Sequence, residues 1–131
     1  MHKHIATLIL LSFIISTHAG TIVIINDLPD ALVLKEMNIW SENTYAHAPK
    51  FIAAKSSANI ETKINAQAYI IQTHYALFKK ETSHAYIQIT KDISDYHSWI
   101  SLYSTPDICA NLTEPTFENG YSQATFTHCH S

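Results

Sequence analysis

From Trp99 onward the chain carries a strand that is stopped at a fixed point. Trp99, Ser101 and Tyr103 alternate with Ile100, Leu102 and Ser104, the two-residue period of a β-strand. Pro106-Asp107 ends it, because proline has no N–H to give a sheet ladder. Cys109 follows at once, and the only other cysteine is Cys129. A strand candidate therefore runs directly into a covalent staple candidate.

The redox setting of that staple depends on the first residues. Met1 to His4 is a short basic-leaning start, followed by an apolar run from Ile5 to Ile15. Thr17 and Ala19 then place small residues at −3 and −1 of a cleavage point before Gly20. This is the layout of a secretory signal peptide over 1–19, with the alternative of an uncleaved apolar N-terminus on a core strand. The apolar run is shorter than the roughly 20 residues a membrane span needs. The expected mature chain, 20–131, is one domain with no transmembrane segment. In an exported chain an even pair of cysteines reads as a disulfide, Cys109–Cys129, rather than as two free thiols. Closing a loop of about 20 residues contributes roughly 3 kcal/mol.

Short segments rich in β-branched residues recur along the chain. Thr21 to Ile25 reads as a strand, Asn26 to Asp30 as a turn, and Ala31 to Met37 as a second strand close enough to pair with the first as a hairpin. Ser41 to Lys50 is a polar loop. Ile60, Thr62 and Ile64 share one face against Asn59, Glu61 and Lys63, a half-buried strand. The segment 66–80 fits two periods. Ile64, Ala68, Ile71, Tyr75 and Phe78 make a helical stripe, whereas Tyr69, Ile71, Thr73, Tyr75 and Leu77 alternate as in a strand. Strand is preferred because both flanks read as strand. Ala85 to Thr90 alternates cleanly, 110–116 reads as a loop, and Tyr121 to Cys129 is a last strand. Strands with regular turns and no clear helix predict an all-β fold, a single-domain antiparallel β-sandwich with one disulfide. With only two glycines, Asn and Asp must fill the left-handed turn positions.

Charge narrows the function classes. All eight basic residues are lysine, against eleven acidic ones. Without arginine or a basic patch, nucleic-acid binding is not expected. Catalytic signals are equally thin. No Ser sits in a G-x-S-x-G elbow, and two isolated glycines cannot cradle a phosphate. Asp92 and Asp95 around Ser94 read as a turn. His128 and His130 share a strand face and are the candidate metal ligands, but Cys129 between them is no ligand once oxidised, and no third ligand is indicated. No cofactor is expected. Asn111-Leu112-Thr113 is a glycosylation sequon.

Aromatic residues remain. Trp40, Tyr45, Phe51, Tyr96, Trp99 and Tyr103 are expected in the core, the default for rings on alternating strands, or on ordinary surface. Some could instead lie at a lipid headgroup interface, where rings with polar tips are favoured. Trp40 and Tyr45, which flank a loop, fit that role best. The candidate lipid- or ligand-binding residues are Trp40, Tyr45, Trp99 and Tyr103.

The order Thr21-Ile-Val-Ile-Ile-Asn26, Ala31-Leu-Val-Leu-Lys35 and Ile39-Trp40 resembles the opening of the aegerolysins, small acidic β-sandwich proteins. The similarity continues through Pro49, Ile52 and Ile60 to Asn65, and returns in Ala85 to Ile89, Ile100 to Pro106 and Asn111. Ser41 and Asp107 stand where the family has glycine, 67–82 has no glycine-rich counterpart, and family members commonly lack a signal peptide. None of the family's lipid-contact residues maps onto a numbered position. The resemblance implies membrane-lipid binding and a pore-forming partner protein. The sequence thus points to a secreted, non-enzymatic binding protein. The alternatives are an adhesion or protein-binding module, and a small secreted hydrolase or metal-dependent enzyme.

Overall fold

The computed structural model describes residues 18–130, so nearly all of the expected leader lies outside the described residues. His18 and Ala19, which that reading assigns to the leader, open the first strand. Ten strands follow: β1 (His18–Asp27), β2 (Leu32–Trp40), β3 (Thr44–His47), β4 (Phe51–Ile52), β5 (Ser56–Ile64), β6 (Tyr69–Leu77), β7 (His84–Lys91), β8 (Trp99–Ser104), β9 (Ile108–Leu112) and β10 (Tyr121–His128). They form two five-stranded sheets. Sheet A has the order β3-β5-β1-β10-β9, and sheet B the order β4-β2-β6-β7-β8. Every ladder is antiparallel except β1–β10, which is parallel. This is the expected β-sandwich with its disulfide, Cys109–Cys129.

The core is built mainly from isoleucine on alternating positions. Ile22 and Ile24 of β1, Ile60 and Ile64 of β5, Ile71 and Tyr75 of β6, and Ile87 and Ile89 of β7 face the space between the sheets. β-branched side chains pack well on a pleated surface, which is why these segments extend. The ambiguous segment is a strand: Tyr69, Ile71, Thr73, Tyr75 and Leu77 are all buried. The helical alternative would have buried Phe78, which is 63% exposed.

Three expectations are corrected. β1 and β2 do not form a hairpin; they lie in different sheets. The chain crosses between layers at Leu28, which is fully buried, with Asn26 holding the crossing. Asn26 Nδ2 donates to the carbonyls of Asp30, Ile52 and Ala53 at 3.0–3.1 Å, and Asn26 Oδ1 accepts from Leu28 N at 3.1 Å. β3 and β9 fall in stretches read as loops. Both are edge strands fixed by their neighbours, β5 and β10, rather than by their own pattern. The left-handed turn positions are held by Asn43, as expected, but also by Lys55 and Gly120.

At the end bearing the disulfide, Asp107 gathers donors from separate turns. It accepts from Ser83 Oγ, from Thr105 Oγ1 at 2.7 Å and from Lys80 Nζ at 3.2 Å. The hydroxyls of Ser83 and Thr105 hold its carboxyl well below the usual carboxylate range, with a further contribution from Lys80. A carboxylate with a depressed folded-state pKa stabilises the fold above its unfolded pKa and loses that contribution as pH falls toward the folded value. Asp107→Asn is therefore expected to be less stable than the unaltered protein at neutral pH. The gap should shrink as pH drops below about 4. Thermal midpoints measured from pH 7 to pH 2 check this; parallel profiles would contradict it.

Candidate functional site

The other end of the sandwich is shaped by four loops, 41–43, 65–68, 92–98 and 113–120, and by the start of β1. Between the last three of these loops and the start of β1 lies a pocket of about 620 Å³. The 113–120 loop crosses from sheet A to the edge of sheet B. Ile100 N donates to Pro115 O at 2.7 Å, Phe117 N donates to Ser98 O at 2.9 Å, and Trp99 bridges Thr116. The buried Phe117 ring lies on Gly20, where a Cβ would collide with it. The 92–98 loop starts in a closed turn, with Asp95 N on Asp92 O and Asp92 N on Asp95 Oδ2, both at 3.0 Å. The aspartates read as a turn in sequence are thus a turn in space.

Polar groups converge inside. The hydroxyls of Tyr69 and Ser98 are hydrogen-bonded, and burial raises the Tyr69 pKa. His97 Nε2 and Glu118 Oε2 meet at 3.0 Å, joining two of the loops. Lys91 Nζ donates to the carbonyls of Gln67 at 2.8 Å and Asp92 at 3.2 Å. The lining also includes Asn65, Gln67 and Asn119. With Lys91 balanced by Glu118, the pocket suits a polar group of no net charge, held by hydroxyl and amide hydrogen bonds.

Exposed apolar side chains gather at this end of the sandwich, Tyr96 among the pocket lining. Trp40 ends β2, Tyr45 lies on β3, Trp99 opens β8, Tyr121 opens β10, and Ile93 and Tyr96 sit on the 92–98 loop. Trp40, Ile70, Thr90 and Trp99 form one cross-strand row, so the two indoles flank the outward face of sheet B at the same height. Tyr45 borders a second cavity of about 190 Å³ with Asn43, Lys63 and Asn65. Of the two places expected for Trp40, Tyr45, Phe51, Tyr96, Trp99 and Tyr103, core or ordinary surface, the structure takes the surface: all are 48–91% exposed. The register is the reason. Ile100 faces inward, so Trp99 and Tyr103 face out.

Of the four sequence-derived binding residues, the structure brings Trp40, Tyr45 and Trp99 to one end. Tyr103 lies four residues along β8 from Trp99, about 13 Å away, in the row with Glu36, His74 and Tyr86. The His128 and His130 rings are 5.2 Å apart, edge to face. Among the described residues no three His, Cys, Asp or Glu converge as a metal site. Asn111 is exposed, on edge strand β9 rather than in a loop. Tyr69, Lys91, His97 and Glu118 carried no motif; Tyr69 and Lys91 pair at the end of the β6–β7 ladder, and the 92–98 and 113–120 loops bring His97 and Glu118 to them.

The fold is similar to that of solved structures of other proteins. It superposes on RahU, solved in complex with a TRIS molecule, with a TM-score of 0.55 and 10% identity over 86% of this chain and 97% of that one. It also superposes on the Xerocomus chrysenteron lectin XCL, with a TM-score of 0.51 and 6% identity over 84% and 99%. No protein-family model matches the chain, and no curated protein does. Among the described residues no helix is long and apolar enough to cross a membrane.

Proposed function

We propose that this is an exported, non-enzymatic binding protein that docks on a membrane surface by its pocket end, the pocket receiving a net-neutral polar headgroup. The observation that carries this is the placement of exposed rings. Among the described residues nine large hydrophobic side chains are exposed, and six of them, Trp40, Tyr45, Ile93, Tyr96, Trp99 and Tyr121, lie at the end of the sandwich that holds the polar pocket, Tyr96 in its lining. Rings with polar tips are favoured at headgroup depth, and clustered exposed apolar surface marks a contact site. Export is supported by the leader pattern over 1–19 and by the Cys109–Cys129 disulfide. The pore-forming partner rests on the family resemblance alone and is no part of this reading.

Sedimentation with liposomes of varied headgroup composition tests it. Binding is expected, and a Trp40→Ala/Trp99→Ala double substitution should weaken it at least about tenfold, since each indole loses buried apolar area. Phe51→Ala, at the opposite end, should leave it unchanged. Failure to bind any composition would overturn the membrane reading. A second reading is favoured by the hydroxyl and amide lining of the pocket and by the lectin among the structural neighbours: glycan binding without a membrane. Glycan-array binding that withstands the double substitution would favour it.

A further inference from the structure

Away from the pocket, two imidazoles meet on the outward face of sheet B. His74 of β6 lies opposite Tyr86, and His84 of β7 opposite Ala76, so the two histidines are diagonal neighbours across one ladder. His74 Nε2 and His84 Nδ1 are 2.8 Å apart, and their ring centroids 4.8 Å. The His74 ring is steadied by stacking on Tyr86, at 4.3 Å and 10°. Glu36 faces His74 from β2, at a bulge that leaves Lys35 and Glu36 both exposed.

We propose that His74 and His84 form a two-imidazole site for a divalent transition-metal ion of the Zn²⁺, Cu²⁺ or Ni²⁺ class. Imidazole nitrogen is the ligand these ions favour. With metal–nitrogen bonds of about 2.0–2.1 Å, two nitrogens side by side on one ion stand roughly 3.0–3.4 Å apart. The pair therefore needs to open by only a few tenths of an ångström. One of the facing nitrogens carries the shared proton. On metal binding that nitrogen releases its proton to solvent, and the other nitrogen of the same ring takes one up. The ring changes tautomer, with no net proton released and no change of oxidation state. Burial, the neighbouring His84 and Lys35 lower the His74 pKa, outweighing Glu36, which keeps a lone pair available at neutral pH. Water completes the coordination shell, and Glu36 adds negative charge beside it.

Titration of the tag-free full chain with ZnCl₂ and CuCl₂, on a background with an acetylated N-terminus and His2→Gln, His4→Gln, His128→Gln and His130→Gln, tests the site. One saturable equivalent is expected. His74→Gln or His84→Gln should each weaken it at least about tenfold. Copper spectra should show two nitrogen ligands before, and one after, either substitution. As a readout that needs no folded variant, Zn²⁺ should shift the imidazole nitrogen resonances of His74 and His84 in the unsubstituted chain. Unchanged affinity in both variants, unmoved resonances, or no saturable binding up to about 1 mM would overturn the proposal.

Discussion

Asn26→Asp is expected to cost more than about 4 kcal/mol of stability, the range reached only when a buried polar network is broken. Asn26 is fully buried, and its amide nitrogen serves three carbonyls while its oxygen accepts one N–H. Ile52 belongs to sheet B and Asn26 to sheet A, so the side chain ties the layers together. Aspartate has nearly the same shape but no amide donors. Ionised, it is a buried charge facing carbonyl oxygens; protonated, it offers one donor where the amide had two. Each buried carbonyl left without a partner costs about 1–3 kcal/mol. Burial raises the pKa of the new carboxyl, so the deficit should grow as pH rises above about 4. Urea midpoints at pH 4 and pH 7 measure both effects. A loss under about 1 kcal/mol would mean that water or a shifted turn replaces the amide.

Tyr75→Ala should cost about 3–5 kcal/mol, the range for truncating a large buried ring. Tyr75 is fully buried in β6, paired with Leu34 on one side and Ala85 on the other. Its hydroxyl donates to Pro49 O at 2.7 Å, anchoring the connection between β3 and β4. Burial raises its pKa, so the phenol remains a donor at any pH the fold tolerates. Tyr75→Phe keeps the ring and loses only this bond, about 1–3 kcal/mol if Pro49 O is left unpaired. Chemical unfolding of the two variants separates packing from hydrogen bonding. Equal losses would show that the carbonyl, not the ring, is what Tyr75 secures.

Strands whose inward faces are marked by their own residues were legible in sequence. β5 alternates Ile60, Thr62 and Ile64 with Asn59, Glu61 and Lys63, and the structure buries the first set and exposes the second. β6 was ambiguous because Ile71 and Tyr75 satisfy both periods; its pairing with β2 and β7 decides for the strand. β9 was not legible, since Cys109, Ala110 and Asn111 are all exposed and take their form from β10. Layer assignment escaped for a related reason. A five-residue turn between two apolar segments suits a hairpin and a crossing equally, and Leu28 and Asn26 choose the crossing only once β4 is in place. At the site, Trp40, Tyr45 and Trp99 stood out as residue types, but their exposure depends on register. The pocket needs 65–68, 92–98 and 113–120 together, and nothing local announces that meeting.

The parallel β1–β10 ladder has a consequence for how the protein is made. The first described strand sits in the middle of sheet A, and its neighbour on one side is the last strand, with Thr21 opposite Tyr121 and Asp27 opposite Thr127. A chain growing from its N-terminus can assemble sheet B by neighbouring hairpins from β6 to β8. It cannot finish sheet A until β10 is available. Ile22 and Ile24 lack their β10 neighbours throughout that interval, which is long-range pairing of the slowest kind. The Cys109–Cys129 bond can close only at the same late moment. A chain cut before β10 would be not a shortened version of this fold but an open sheet with a sticky seam along β1.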